Sequence, residues 1–355
     1  MGRVALTMSS RPQGPAETLP PFRGVALAVE DLASGPAQQR LTVDLFDDHN
    51  DLDRVRRDAE RIVADDRFLA VIGPMGSGPA MVSAPIFAEA GLLQISPCAS
   101  HPSLCRQGYR TFARLVANEE DQGRALARIA RGYLGATRVA IVLEDDVFGR
   151  TVADLFAAPF KGVGGEIVAR CAYQADTTDF ASLAREVTVA GPDLVLFAVH
   201  PVEGAAAARA IRDAGARVPF LGTDAVKPSF YLGGGDGDGP AFHTHTGADM
   251  RRLPSAAAFH DAYAARWPVD STYSPEAYDA VQLVAAACAA ATSDTREAVL
   301  EAFHGLGAYE GVTGPVRFTP EGERRDAPIG LYEVRRVDEG RVMHFLGTTD
   351  RLLST

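Results

Sequence analysis

The sequence predicts an α/β protein of two doubly wound parallel-sheet domains, and three observations carry that prediction. Short apolar runs alternate with helical patterns, several runs are apolar throughout, and the whole alternation occurs twice. Strands that are apolar on both faces belong in parallel sheets covered by helices on either side. At 355 residues the chain also exceeds what one hydrophobic core usually supports, so two domains are the default.

The elements follow in order. Val4–Met8 is predicted as a strand, Pro21–Ala33 as a helix with Phe22, Val25, Ala26 and Val29 at helical spacing, and Leu41–Asp47 ("LTVDLFD") as the second strand. Asn50–Asp65 is predicted as a helix capped by Asn50 or Asp51, with Val55, Ala59, Ile62 and Val63 as its apolar stripe. Strand Phe68–Ile72, helix Ala80–Ala90 and strand Leu92–Ile95 continue the first series, which ends near Leu115; a long helix then starts near Glu119. In the second series Arg138–Leu143, Leu194–Val199 and Val218–Leu221 read as strands. Their helices are Val147–Phe160, Glu203–Ala214 and a shorter one after Asp224. Beyond Thr246 come helical patterns at Pro254–Trp267, Pro275–Ala291 and Thr295–His304, then strands in "VTGPVRFTPEG", Gly330–Val337 and Arg341–Leu346. Gly233–Gly239 ("GGGDGDG") reads as a surface turn.

Composition excludes several partners. The net charge of -11 disfavours nucleic acid and anionic membrane surfaces. No apolar run approaches the roughly 18 residues needed to span a bilayer. The opening "MGRVALTMSS" lacks the apolar core and cleavage pattern of a secretion signal, which leaves a cytoplasmic protein or a chain that begins after a removed signal. Cys98, Cys105, Cys171 and Cys288 fit no metal spacing. Cys98 and Cys105 are close enough in sequence to pair in an oxidising compartment, but free or buried thiols are the expectation.

The stretch "AVIGPMGSGP" (70–79) ends an apolar strand in three glycines, two prolines and a hydroxyl. Gly73 and Gly78 have the spacing of a P-loop, yet Pro79 stands where its lysine belongs. Gly73, Gly76 and Gly78 give GxxGxG, not the dinucleotide fingerprint GxGxxG. Free backbone N–H groups, the Ser77 hydroxyl and the helix started by Pro79 suit a carboxylate instead, the plain alternative being a βα turn. "ISPCASHP" (95–102) ends the next strand the same way and brings Ser100 to a neighbouring carboxyl edge, where ligands of open α/β sheets sit.

These two segments, with "NEEDQG" after them, resemble the substrate-binding proteins of branched-chain amino acid ABC transporters. More loosely, "FRGVALAVEDL", "VDLFDDHNDLDRV", "VAIVLEDDVFG", "DLVLFAV", "PFLGTDA", "SPEAYDAVQL" and "VTGPVRFTPEG" fall in that family's order. The resemblance implies the type I periplasmic-binding fold: two lobes, 1–117 plus 248–325 and 118–247 plus 326–355, joined by a hinge of three crossings. It implies a binding protein without catalysis or cofactor, extracytoplasmic through a signal or anchor absent from this sequence. As a monomer it would trap an amino acid-like ligand between its lobes and pass it to a membrane permease. Ser77, the Cys98–Ala99 backbone and Ser100 are the implied main-chain clamp, Asp224 the partner of the ligand ammonium, and Phe148, His200 and Tyr273 the pocket lining. Phe148 and His200 stand where tyrosines are common in that family, and Cys98 where a small residue is usual, so the side-chain pocket is altered and leucine, isoleucine or valine is not implied.

Plain readings stand beside these. Asp224 has the place of a helix cap, His200 before Pro201 that of a helix-entry residue, and His243 and His245 ("HTH") that of surface side chains. Glu144, Asp145 and Asp146 sit at a helix start, where the dipole favours acids, so paired catalytic carboxylates are not expected; His243 and His245 lack carboxylate or cysteine company, so no metal is expected. The alternatives in function are a ligand-sensing domain of a signalling receptor or regulator with the same fold and, more remotely, a nucleotide-dependent α/β enzyme.

Overall fold

The computed structural model describes residues 2–10, 19–35, 41–49, 51–226, 239–246, 249–267, 272–337 and 340–353. The chain divides into two compact units, Met1–Asn118 with Asp249–Ala327, and Glu119–Ala248 with Pro328–Thr355.

In the first unit β1 (Gly2–Met8), β2 (Leu41–Asp47), β3 (Phe68–Ile72), β4 (Leu93–Ser96) and β5 (Phe112–Arg114) form one sheet in the order β2-β1-β3-β4-β5. All four pairings are parallel. β3 and β4 are buried along their whole length, as apolar strands covered on both faces must be. On one face Val25 and Ala28 of helix Pro20–Ser34 pack with Val281 and Val284 of helix Ser274–Ala290 against Val4, Leu6 and Ile72. Helix Leu52–Val63 is begun by Asp51, whose Oδ1 accepts the Asp53 and Arg54 N–H groups at 2.9 and 3.2 Å, and it buries Val55, Ala59 and Ile62. Asn50 lies outside the described residues. The helix after β3 starts at Ser77, two residues ahead of the Pro79 start that the sequence suggests. Pro79 takes the third helical position, where an N–H has no partner within the helix anyway.

β5 escapes sequence reading because it is three residues long and ends in a buried arginine. Arg114 is fully buried; its Nε donates to Glu323 Oε2 at 2.8 Å, its Nη2 bonds the other Glu323 oxygen, and its Nη1 donates to the His101 carbonyl at 2.8 Å. Its own N–H donates to the Gly322 carbonyl at 3.0 Å.

In the second unit β6 (Arg138–Glu144), β7 (Glu166–Tyr173), β8 (Leu194–Ala198), β9 (Phe220–Gly222) and β10 (Ala241–His245) are parallel neighbours in the order β7-β6-β8-β9-β10. Two antiparallel strands extend this parallel sheet at the β10 edge. Strand Gly330–Val337 joins β10 antiparallel, and Gly340–Thr348 pairs antiparallel with it, the sequential pairing that strands without a crossover helix adopt. β7 and helix Ala181–Ala190 are further elements beyond the sequence reading; most of β7 is only partly buried, so no uniform apolar run marks it. The expected turn at Gly233–Gly239 lies, but for Gly239, outside the described residues.

Counted from its own first strand, each parallel sheet has the order 2-1-3-4-5. The winding therefore reverses between β1 and β3 in one unit and between β6 and β8 in the other, and chain exits there diverge to opposite faces.

Glu323→Gln leaves the Arg114 guanidinium buried without its counter-charge. We expect a loss of about 3–5 kcal/mol in unfolding free energy, read as a lower urea midpoint; an unchanged midpoint would show that the pair does not hold the segment in place.

Candidate functional site

The glycine-rich loop leaves β3 beside the end of β1. Gly73 has φ +105°, and a Cβ there would lie 2.2 Å from the Thr7 carbonyl oxygen, so the backbone passes where a side chain has no room. The loop after β4 is bonded onto this one. Ser96 Oγ donates to the Pro74 carbonyl at 2.8 Å, and the Cys98 thiol to the Met75 carbonyl at 3.1 Å. Ser77 Oγ accepts the N–H groups of Ser100 at 3.2 Å and His101 at 3.1 Å.

Ser77, Cys98, Ala99 and Ser100 are thus brought together at the carboxyl edge of β3 and β4. Ala99 is the least available of them. It is buried, its N–H donates to Ser96 Oγ at 3.0 Å, and its carbonyl accepts from Arg114 at 3.3 Å. Cys98 and Cys105 are both free thiols, and burial pushes Cys105 up to about 12. Tyr273, also of this unit, sits in the left-handed region (φ 59°, ψ 5°) just ahead of helix Ser274–Ala290.

In the second unit Asp224 is buried and opens the short 3-10 turn Asp224–Val226 after β9. Its carboxylate accepts from Gln122 Nε2 at 2.7 Å and from Thr246 Oγ1 at 3.4 Å. At the winding reversal, Phe148 and His200 meet with ring centroids 5.6 Å apart and planes 34° from each other. His200 does precede a helix, Pro201–Asp213, but its side chain makes no cap; Nε2 lies 2.9 Å from Asp146 Oδ2. Asp146 in turn caps helix Val147–Gly162, its Oδ1 accepting the Gly149 N–H at 2.7 Å. Burial raises the Asp146 pKa, but the bonds from His200 and Gly149 outweigh it, and the net shift is downward. Glu144, buried at the end of β6, completes a group whose ligand atoms with Asp146 and His200 all lie within 4.8 Å of one another.

Two sequence expectations need correction. The acids of 144–146 are not only a helix start, since Asp146 also holds His200. Nor is His243 on the surface: it is buried, with its ring stacked on Tyr332 at 5.1 Å, because β10 lies inside the sheet between β9 and Gly330–Val337. The sequence offers no signal for Gln122, Thr246 or Arg114, and it presents Asp146 only as one of three acids at a helix start. Gln122 lies in the quoted "NEEDQG", but no spacing ties it to Asp224.

A sequence model described as periplasmic binding protein matches residues 7–341. The chain belongs to the periplasmic binding protein family. One relative, the Leu/Ile/Val-binding protein BraC3 of Rhizobium johnstonii, is 27% identical over 315 residues, covering 87% of this chain and 85% of its own. Among solved structures, the leucine binding protein LivK of Thermotoga maritima superposes with a TM-score of 0.86 at 20% identity, covering 97% of this chain and 98% of its own. LivJ of Streptococcus pneumoniae, a branched-chain amino acid transporter substrate binding protein solved with isoleucine, gives 0.84 at 20% identity, covering 98% and 99%. These likenesses show the type I periplasmic-binding fold. No helix among the described residues is long and apolar enough to cross a membrane.

His101, beside Ser100 in this family member, carries a pH dependence. Burial, and then the charge of Arg114, lower its pKa below the ordinary 6.5, and its Nδ1 accepts the Ser103 N–H at 3.2 Å, a bond the protonated ring cannot take. A depressed histidine pKa favours the fold above the unfolded value and loses that contribution as pH falls below it. Urea unfolding should show stability declining below about pH 6.5, with a shallower decline in His101→Gln; parallel profiles would remove His101 from the account.

Proposed function

We propose that this chain is an extracytoplasmic solute-binding protein that captures an amino acid or similar small carboxylate and delivers it to an ABC transporter. The observation that carries the proposal is Asp224, a buried carboxylate fixed by Gln122 and Thr246 at the carboxyl edge of β9. An ammonium is the natural partner for such a group, through a charge-assisted hydrogen bond.

In the first unit the reading gives Ser77 and Ser100 the ligand carboxylate and Cys98, through its carbonyl, a share of the ammonium; Ala99 shapes the turn. In the second unit it gives Asp224 the ammonium, and Phe148 and His200 the ligand side chain. Tyr273 of the first unit is assigned to the side chain as well. The His200–Asp146 pair makes that lining polar, so the relatives' names do not transfer leucine, isoleucine or valine to this chain. Binding involves no bond making. The proposed partner is a membrane permease, the proposed state a monomer, and the proposed location the periplasm or outer cell surface.

Asp224→Asn keeps the shape and removes the charge. Calorimetry on the intact protein should show amino acid affinity weakened by about 2–5 kcal/mol. Ser77→Ala should weaken it by about 1–3 kcal/mol, through loss of a hydrogen bond to a charged group. An Asn variant that binds as tightly as the parent would mean that the ligand carries no ammonium at this point, and the amino acid reading fails.

A further inference from the structure

We propose that Glu144, Asp146 and His200 form a binding site for a divalent first-row transition-metal ion of the zinc type. The three residues come from the end of β6, the cap of helix Val147–Gly162 and the residue entering helix Pro201–Asp213. They converge where the second unit's winding reverses between β6 and β8, the crevice in which open α/β sheets bind ligands. One ligand atom from each lies within 4.8 Å of the other two.

Charge is the second, independent observation. Glu144 is only 7% exposed, yet among the described residues its carboxylate has a single, long hydrogen bond, from Tyr173 Oη at 3.5 Å. Among the described residues no arginine or lysine forms an ion pair with Glu144 or Asp146; Arg150 pairs with the neighbouring Asp145 at 2.5 Å. A carboxylate taken out of water without a cation is costly, and a bound cation offsets that cost.

The surroundings already orient the donors, as outer-shell contacts do in metal sites. The Gly149 N–H takes Asp146 Oδ1 and leaves Oδ2 turned toward His200. Tyr173 Oη steers Glu144, and the Phe148 ring flanks the imidazole. Gly149 has no room for change, since a Cβ there would lie 2.1 Å from the Glu144 carbonyl oxygen. One imidazole and two carboxylates suit zinc and its neighbours better than magnesium or calcium, which prefer oxygen alone. Three protein donors leave a coordination position for water or for a donor atom of a solute. The inference does not depend on the amino acid reading, because its probe is the metal alone.

The test is calorimetric titration of zinc chloride into untagged full-length protein stripped with a chelator, with magnesium chloride as the comparison. We expect one saturable equivalent of zinc, no comparable magnesium binding, and at least a tenfold loss of zinc affinity in both His200→Ala and Glu144→Gln. Cobalt(II) substitution should add visible d–d bands that His200→Ala abolishes. Circular dichroism and melting of the variants check that they fold. No saturable zinc binding by the parent, or zinc binding that folded His200→Ala and Glu144→Gln retain at parental strength, would overturn the proposal. Should both variants fail to fold, pulsed EPR of the parent loaded with one equivalent of copper(II) decides: a spectrum without imidazole nitrogen modulation would also overturn it.

Discussion

A parallel sheet that winds in both directions leaves one place where two neighbouring strands release their chains to opposite faces. That constraint locates the chemistry of both units. Each has the order 2-1-3-4-5, and in each the candidate site residues named above, Tyr273 apart, stand at the carboxyl edge, at or beside the reversal. In the first unit these are the hydroxyls and N–H groups of the Ser77 and Ser100 loops. In the second they are the Glu144–Asp146–His200 group and, one strand further, Asp224.

The loops are held from behind by buried charged groups. Arg114 bonds the carbonyls of Ala99 and His101 on one side and Glu323 on the other, so the Ser100 loop is tied to the segment around Gly322. Arg324 adds bonds to the Leu115 carbonyl at 3.1 Å and the Thr313 carbonyl at 2.9 Å. The Arg114 guanidinium is fully buried and bonded through all three of its nitrogens, so the Ser100 loop is fixed by polar geometry as much as by apolar packing. Gln122 and Thr246 do the same for Asp224, setting the direction of a carboxylate whose value to a ligand depends on being already aimed.

What was legible in the sequence follows from burial. β3 and β8 are buried at every residue, and each reads as an unbroken apolar run. Helix Leu52–Val63 reads well because its apolar stripe and its capping aspartate agree. β7 reads poorly because it is an edge strand with partly exposed residues, and β5 because Arg114 fills a third of it. The same logic divides the site residues. The meeting of the Ser77 and Ser100 loops is legible because adjacent parallel strands bring their following loops together. The bond from Gln122 to Asp224 spans 102 residues and that from His200 to Asp146 spans 54, so no local spacing announces either. Membership of the family supplies the fold and the class of function; the polar pair His200–Asp146 comes from this chain's own geometry.

The central claim is that these pre-aimed groups recognise a small solute carrying both a carboxylate and an ammonium. The most direct measurement is a thermal-shift screen of the whole protein against the amino acids and, in parallel, matched carboxylic acids without the amine. A ligand that binds only the folded state raises the melting temperature by mass action. The account predicts a concentration-dependent rise with at least one amino acid and a much smaller one with its deaminated counterpart. Equal shifts with both members of a pair, or none across the panel, would contradict it.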